Sequence, residues 1–548
     1  MTDRALLAAP APLALAALLC GACGPPAAAP EPAASQPRRG GEAIAATIAD
    51  LGGVNELVSG RIGFTNDVLD QLFLQLLREQ PDYAEHPPTF APALAERYEL
   101  SADRRLLTFH LRHDAVWSDG EPITAEDVRF SWQVQRAPEV AWAYADSKDT
   151  ITDVEVVDPH TARFHFAEAY PYQVVDANDG KILPSHLWSR LPLADWRRDT
   201  DWFRAHLAVS GPFRLAAWQP GQEIVLERNE RYIEPGLPRL DRVRFRVVPD
   251  QPAQIEQLLA GALDFLPAVP AASAARLAAA PGVELVVFEG RQYDYICWNT
   301  LRPPFDDVAV RRALTLAIDR QALVDTLWKG YARVAASPIL ANVWARARDL
   351  APWPYDPREA GRLLAAAGFR DGDGDGVLER DGRPFRFELT TNSSNRVRSD
   401  ALVLIQEQLR RVGIDAQPRA LEIQTLTEKN LAHEFDATLS GWAIDTTLDL
   451  RPYFHSSEAA GGYNFGSYAN AELDRLLVEV RRVDRLEDAK PMFERIQRVL
   501  HAEQPYTFLW EPQRLAGVRR ELGEVEPNAL SPLFNLARWW RRAPAPRG

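Results

Sequence analysis

The chain is predicted to fold as an α/β protein, and three features of its sequence carry that prediction. Apolar residues alternate with polar or charged ones around Phe109 and around Val243, the two-residue period of a half-buried strand. Elsewhere they recur three and four residues apart, from Val68 to Leu76 and from Leu402 to Val412, the period of an amphipathic helix. The 548 residues are 46% hydrophobic and 25% charged, which is the composition of a globular chain able to bury several cores.

At the N-terminus Arg4 precedes an apolar stretch from Ala11 to Leu19 and then Cys20, Gly21, Ala22 and Cys23. This is the pattern of a secretory signal over residues 1–22, and the stretch is shorter than the roughly 20 apolar residues a membrane span needs. Cys20 and Cys23 share the C-x-x-C spacing of redox motifs, but here it ends the apolar run instead of opening a helix beside a strand. Gly24 to Arg39 is rich in Ala and Pro without either period, so residues 23–40 read as an extended tether. Cys297 is then the one internal cysteine, which leaves no intramolecular disulfide and predicts a buried thiol.

Beyond the tether, Val68, Leu69, Leu72, Phe73 and Leu76 predict a helix starting near Thr65. Phe109 and Leu111, interleaved with His110 and Arg112, predict a strand. In the string S-D-G-E-P-I-T-A-E-D-V, Asp119 and Gly120 supply a turn. Thr124 can cap the next helix, with Asp127 in capping-box register. Val243, Phe245 and Val247 between arginines predict a second strand. Asp307 can open a helix bearing Val310, Leu314 and Ala317, and Asp319 can cap another that ends near Gly330. Leu402, Ile405, Leu409 and Val412 predict a helix closed by Gly413.

Charge and motifs exclude several function classes. Lys and Arg total 62 against 76 Asp and Glu, a net charge of -14, so no broad positive field is available for nucleic acid. There is no G-x-S-x-G, no H-E-x-x-H and no phosphate-binding G-x-x-x-x-G-K-[ST], and no enzyme activity is expected. The nearest zinc-protease string, His433 to Ala437, lacks its second histidine. No cofactor is called for. Asp371, Asp373 and Asp375 fall at positions one, three and five of a calcium-loop pattern with Gly376 at six, but position twelve is Gly382 where a bidentate Glu is needed. A structural calcium site and a Gly-rich turn both fit that string.

These residues establish a large exported α/β protein and leave binding and catalysis open. Several strings then resemble one family: P-A-L-A-E-R-Y-E-L-S-A-D from Pro92, L-R-H-D-A-V-W-S-D-G-E-P-I-T-A-E-D-V-R-F-S-W from Leu111, I-L-P-S-H-L at Ile182, and S-G-P-F-R-L-A-A-W at Ser210 leading to R-N-E-R-Y. N-T-L-R-P-P-F-D-D-V-A-V-R-R-A-L-T-L-A-I-D-R from Asn299, G-W-A-I-D at Gly441 and Y-N-F-G-S-Y-A-N-A-E-L-D from Tyr463 complete the series. Together and in this order they are similar to the peptide and nickel class of extracytoplasmic solute-binding proteins, family 5, over nearly the whole mature chain.

The resemblance implies a two-lobe periplasmic-binding-protein-like fold of the large class II type with three subdomains and a ligand cleft between the lobes. Lobe I would cover 41–288 with an extra subdomain at about 83–200, lobe II 289–503, and a C-terminal return 504–548, with the chain crossing near Glu289 and Gln504. It implies a binding protein for oligo- or dipeptides that serves the permease subunits of an ABC importer and is expected to act as a monomer. Nickel, haem, an opine or an oligosaccharide are the alternatives within the family, and a sensory or chaperone-like module is the alternative outside it. The N-terminal segment resembles a lipobox in which Cys23 receives lipid, with Cys20 standing where Leu is usual; that implies an exported, membrane-anchored lipoprotein on the periplasmic side of the envelope.

In peptide-binding relatives the strand at the G-W-A-I-D string runs beside the ligand, and the Asp matching Asp445 pairs with its N-terminal ammonium. The resemblance therefore nominates Gly441, Trp442, Ala443 and Asp445. Asp449 is a second acid four residues on, in a stretch where Thr446, Thr447 and Leu448 replace the proline common in relatives. Trp442 can wall a side-chain pocket or belong to the core, and Asp445 can serve a turn instead of a ligand. Arg398, at the start of the Leu402 helix, can pair with a ligand carboxylate or stand solvated.

Overall fold

A computed structural model describes residues 37–60 and 63–542. The signal, Cys20 and Cys23 lie outside the described residues. Two mixed sheets organise the rest. The first has seven strands in the order Val283–Phe288, Arg514–Arg519, Phe265–Leu266, Glu42–Thr47, Arg242–Val247, Glu223–Arg228 and Phe213–Gln219. The second has six, in the order Ala332–Val334, Tyr506–Pro512, Gln292–Trp298, Ala437–Ala443, Arg386–Asn392 and Asp415–Leu421. A separate four-stranded antiparallel sheet is built from Ala95–Leu100, Leu106–Leu111, Thr161–Phe166 and Ile151–Asp158.

Local signals shape these elements as the side chains dictate. Leu106–Leu111 alternates buried and half-buried residues along its length, and Val243 and Phe245 are buried between more exposed arginines. The Asp127 carboxylate accepts the Thr124 backbone N–H at 2.9 Å, the reciprocal bond of a capping box, and opens the helix Ala125–Arg136. Asp307 and Asp319 accept N–H groups of Ala309 and Ala322 at the starts of Val308–Ala317 and Arg320–Leu327. The helix Arg396–Arg410 closes with Gly413 N–H on Arg410 O and Ile414 N–H on Leu409 O, and Gly413 takes φ +79°. That pairing is the Schellman motif, which needs a left-handed residue.

The helix predicted from Thr65 runs from Gly63 to Leu72 and stops short of Leu76. The reason is tertiary: the Leu72 carbonyl accepts the N–H groups of Ser210 and Gly211, so it is not available to the next turn. Leu76 stays buried, which is why its spacing reads as helical.

The chain passes between the two large sheets at two places. The first, residues 289–291, joins Val283–Phe288 to Gln292–Trp298. The return lies at Gln513 and not at 504, because Tyr506–Pro512 is hydrogen-bonded to Gln292–Trp298 in the second sheet. The passages touch: a Cβ on Gly290 would stand 2.6 Å from the Pro512 carbonyl, and Glu289 accepts from Gln513 Nε2 at 3.2 Å and from Arg333 at 2.6 Å. Cys297 is fully buried, and among the described residues no helix is long and apolar enough to cross a membrane.

Candidate functional site

The strand Ala437–Ala443 runs antiparallel to Gln292–Trp298, with Gly441 opposite Asp294, Trp442 opposite Tyr293 and Ala443 opposite Gln292. After Ala443 the chain leaves the sheet: Ile444 N–H donates to Arg291 O at 2.7 Å, and Leu448 adopts φ +52° to complete a tight loop. This loop presents Asp445, Thr446 and Asp449.

The structure separates the two acids. Asp449 is committed, accepting from Arg481 Nη1 at 2.8 Å and from Arg451 N–H at 3.0 Å. Asp445 accepts from the Thr447 hydroxyl at 2.7 Å and has no ion-pair partner among the described residues. Its side chain keeps access to solvent while protein closes around it, so it lines a cleft and not a core. That enclosure pushes its carboxyl above the usual carboxylate range; the Thr447 hydroxyl and Arg291 pull it back, and the charge of Asp449 adds to the rise.

Facing this loop is a carboxylate from the first part of the chain. Glu79, at the end of Leu77–Glu79, accepts from Thr446 Oγ1 at 2.7 Å and lies 3.8 Å from the Arg291 guanidinium. Arg291 also donates to Thr446 Oγ1 at 3.3 Å and stands 5.3 Å from the Tyr83 ring centre. Burial raises the Glu79 carboxyl, with Arg291 and Thr446 opposing. The Trp344 N–H bonds the Tyr83 carbonyl at 2.7 Å, and Arg348 pairs with Glu85, so the same face is tied at three points. Burial also pushes the Tyr453 hydroxyl up to about 12, with the charges of Asp445 and Asp449 next in effect. The arrangement is an acidic cleft that can hold a cation against a carboxylate already desolvated in part.

Other candidates fall elsewhere. Trp442 is half-buried in an aromatic group with ring centres of Tyr453 at 4.4 Å, Phe465 at 5.6 Å and Tyr463 at 5.7 Å. Arg398 is mostly buried, its side chain 11% exposed. It makes a buried two-pronged ion pair with Asp294, at 2.9 and 3.2 Å, and Asp294 also accepts from Trp510 Nε1 at 3.0 Å. This pair explains Gly441: a Cβ there would lie 2.2 Å from Asp294 Oδ1 and 2.3 Å from Arg398 Nη2. Asp371, Asp373 and Asp375 do come together, with Glu379 as a fourth acid, their ligand atoms within 4.8 Å of one another. The loop is exposed, and each aspartate already accepts a backbone N–H of the turn: Gly374 and Gly376 on Asp371, Asp375 on Asp373, Val377 on Asp375.

Glu79 and Arg291 carry no motif and were missed from sequence, and Thr446 stood out there only as a residue replacing a proline. Only Arg291 had a signal, its place beside the expected crossing at Glu289.

Residues 89–464 match the family model described as bacterial extracellular solute-binding proteins, family 5. The oligopeptide-binding protein AppA of Bacillus subtilis is 30% identical over 512 residues, covering 92% of this chain and 93% of that protein. Heme-binding protein A of Haemophilus influenzae is 27% identical over 443 residues, covering 76% and 78%. The solved structure of the Bacillus subtilis AppA in complex with a nonapeptide superposes with a TM-score of 0.77 and covers 93% of this chain and 100% of that one.

Proposed function

The chain belongs to the bacterial extracellular solute-binding proteins of family 5, and we propose that it captures peptides by their free amino terminus and hands them to the permease of an ABC importer, with no catalytic step. The observation that carries the reading is the division of labour between two acids. Asp449 is paired with Arg481, whereas Asp445 stands in the cleft with no ion pair, held by the Thr447 hydroxyl and the Leu448 N–H, and its carboxyl is raised by burial. An ammonium there would satisfy the charge, and a charge-assisted hydrogen bond contributes about 1.5–3 kcal/mol. The oligopeptide-binding name of the Bacillus subtilis relative and its nonapeptide complex support the same ligand class.

The segments 289–291 and Gln513 are proposed as the hinge between two lobes, since they are the passages between the large sheets and are in contact at Gly290. Cys23 is proposed as the lipid-bearing residue, and 24–39 as the tether that lets the lobes reach the permease. Calorimetric titration with unblocked and N-acetylated peptides, combined with small-angle scattering, tests the reading. Free-amine peptides are expected to bind and to reduce the radius of gyration, because a ligand that prefers the closed form shifts that population. Equal binding of acetylated peptides, or binding without compaction, would contradict it.

A further inference from the structure

On the other face of the strand Leu77–Glu79 from the cleft lies a cavity of about 430 Å³. Successive side chains of a strand leave on opposite faces, so Glu79 meets Thr446 while Arg78 and Gln80 line this second space. Its volume falls in the range of small-molecule sites, roughly 300–1,000 Å³.

Three stretches build it, 78–81, 232–237 and 526–538, and bonds among them fix the walls. The Tyr232 hydroxyl donates to Glu234 at 3.0 Å, and Glu234 also pairs with Arg78. Arg239 ties the second stretch to the third, with its guanidinium on Arg538 O at 2.7 Å and its backbone N–H on Ala537 O at 3.0 Å. Asn535 accepts from the Glu526 N–H at 3.1 Å and from Trp539 Nε1 at 2.8 Å. Tyr232, Leu237 and Phe534 supply apolar surface between the charged groups.

The charges decide what fits. The wall carries two arginines, Arg78 and Arg538, and two glutamates, Glu234 and Glu526. Arg78 and Glu234 are paired with each other. The Arg538 guanidinium and the Glu526 carboxylate have no partner among the described residues, although they line the same cavity. An anion alone would meet Arg538 but also face both glutamates, and a cation alone would meet Glu526 but also face both arginines. A molecule with one charge of each sign satisfies the two free groups together. We propose that this cavity is a second binding site, separate from the peptide cleft, for a free amino acid with an uncharged side chain. Its carboxylate pairs with Arg538, its ammonium with Glu526, and its side chain lies on the apolar surface. A charged side chain would bring a third charge that finds no free counter-charge.

L-leucine, N-acetyl-L-leucine and L-leucinamide, titrated calorimetrically into the full chain freed of bound ligand, separate the two charges. Leucine is expected to bind roughly tenfold or more tighter than either blocked form. Arg538→Ala and Glu526→Gln change exposed side chains that bond to no other, so both variants should melt with the parent, and each should weaken leucine by roughly tenfold or more. Asp445→Asn should leave leucine binding unchanged, because that residue lies in the cleft.

No saturable heat with leucine up to about 10 mM overturns the proposal, as does equal binding of the blocked forms. Leucine binding lost in Asp445→Asn but kept in Arg538→Ala and Glu526→Gln also overturns it, by placing the amino acid in the cleft. The reading of the cleft fails separately: if peptide binding ignores Asp445→Asn while leucine still depends on Arg538 and Glu526, the ammonium site is wrong and the second site stands.

Discussion

Replacing Asp445 by Asn keeps the size and shape of the side chain and removes only its charge. In the structure this carboxylate has one side-chain partner, the Thr447 hydroxyl at 2.7 Å, which an amide oxygen can also accept. No ion pair is broken by the change, so fold stability should move little. For a bound ammonium the charge-assisted bond is lost, at a cost of about 1.5–3 kcal/mol. That corresponds to a roughly tenfold to hundredfold weaker Kd, or slightly more. Titrating wild type and variant with free-amine and N-acetylated forms of one peptide closes a double-mutant cycle between protein and ligand. The loss is expected with the free amine only. Asp449→Asn is the control: it frees Arg481 and should lower stability by about 1 kcal/mol or less, as for a partly exposed pair, without coupling to the amine. Coupling at Asp449 and none at Asp445 would refute the assignment.

The buried pair of Arg398 and Asp294 should be structural: Arg398→Ala is expected to cost about 3–5 kcal/mol in urea unfolding, because it leaves Asp294 charged and unpaired. Gly441→Ala should cost about 1–3 kcal/mol by pushing a methyl into that pair, and a neutral result in either would contradict the packing described. The melting temperature should fall as pH rises from 5.5 to 7.5. Burial holds Asp67 and Glu511 at about 7 and Asp176 at about 6, above unfolded values near 4, so in that window the native state binds more protons than the unfolded one. Arginine-paired surface acids such as Asp114 are shifted down and act only at more acidic pH; Glu511→Gln should flatten the slope, and a flat profile in the parent would count against these assignments. Cys23→Ala should move the protein from the membrane to the soluble fraction, and membrane partitioning with no mass difference from the parent would rule out the lipid anchor.

How much of this could be read in advance followed the range of the interactions. Capping at Thr124, Asp307 and Asp319, and the Schellman end at Gly413, depend on neighbours within a few residues and were legible. The ion pair of Arg398 was not, since its partner Asp294 lies 104 residues away. Asp445 and Asp449 look alike in sequence because what separates them is Arg481, 32 residues downstream. The return crossing was misplaced for a related reason. Tyr506 to Trp510 is an unbroken buried run whose composition does not say which sheet it joins; pairing with Gln292–Trp298 decides that, and moves the crossing to Gln513. Glu79 gave no local sign at all, because its function arises only where the loop at Thr446 meets it.

The proposed cleft holds a peptide by its free amine. Native mass spectrometry of the protein purified under mild conditions, followed by sequencing of whatever is released on denaturation, addresses it most directly. One or a family of unblocked peptides is expected, depleted from Asp445→Asn. Recovery of haem, a metal chelate or a sugar at equal occupancy in parent and variant would contradict it.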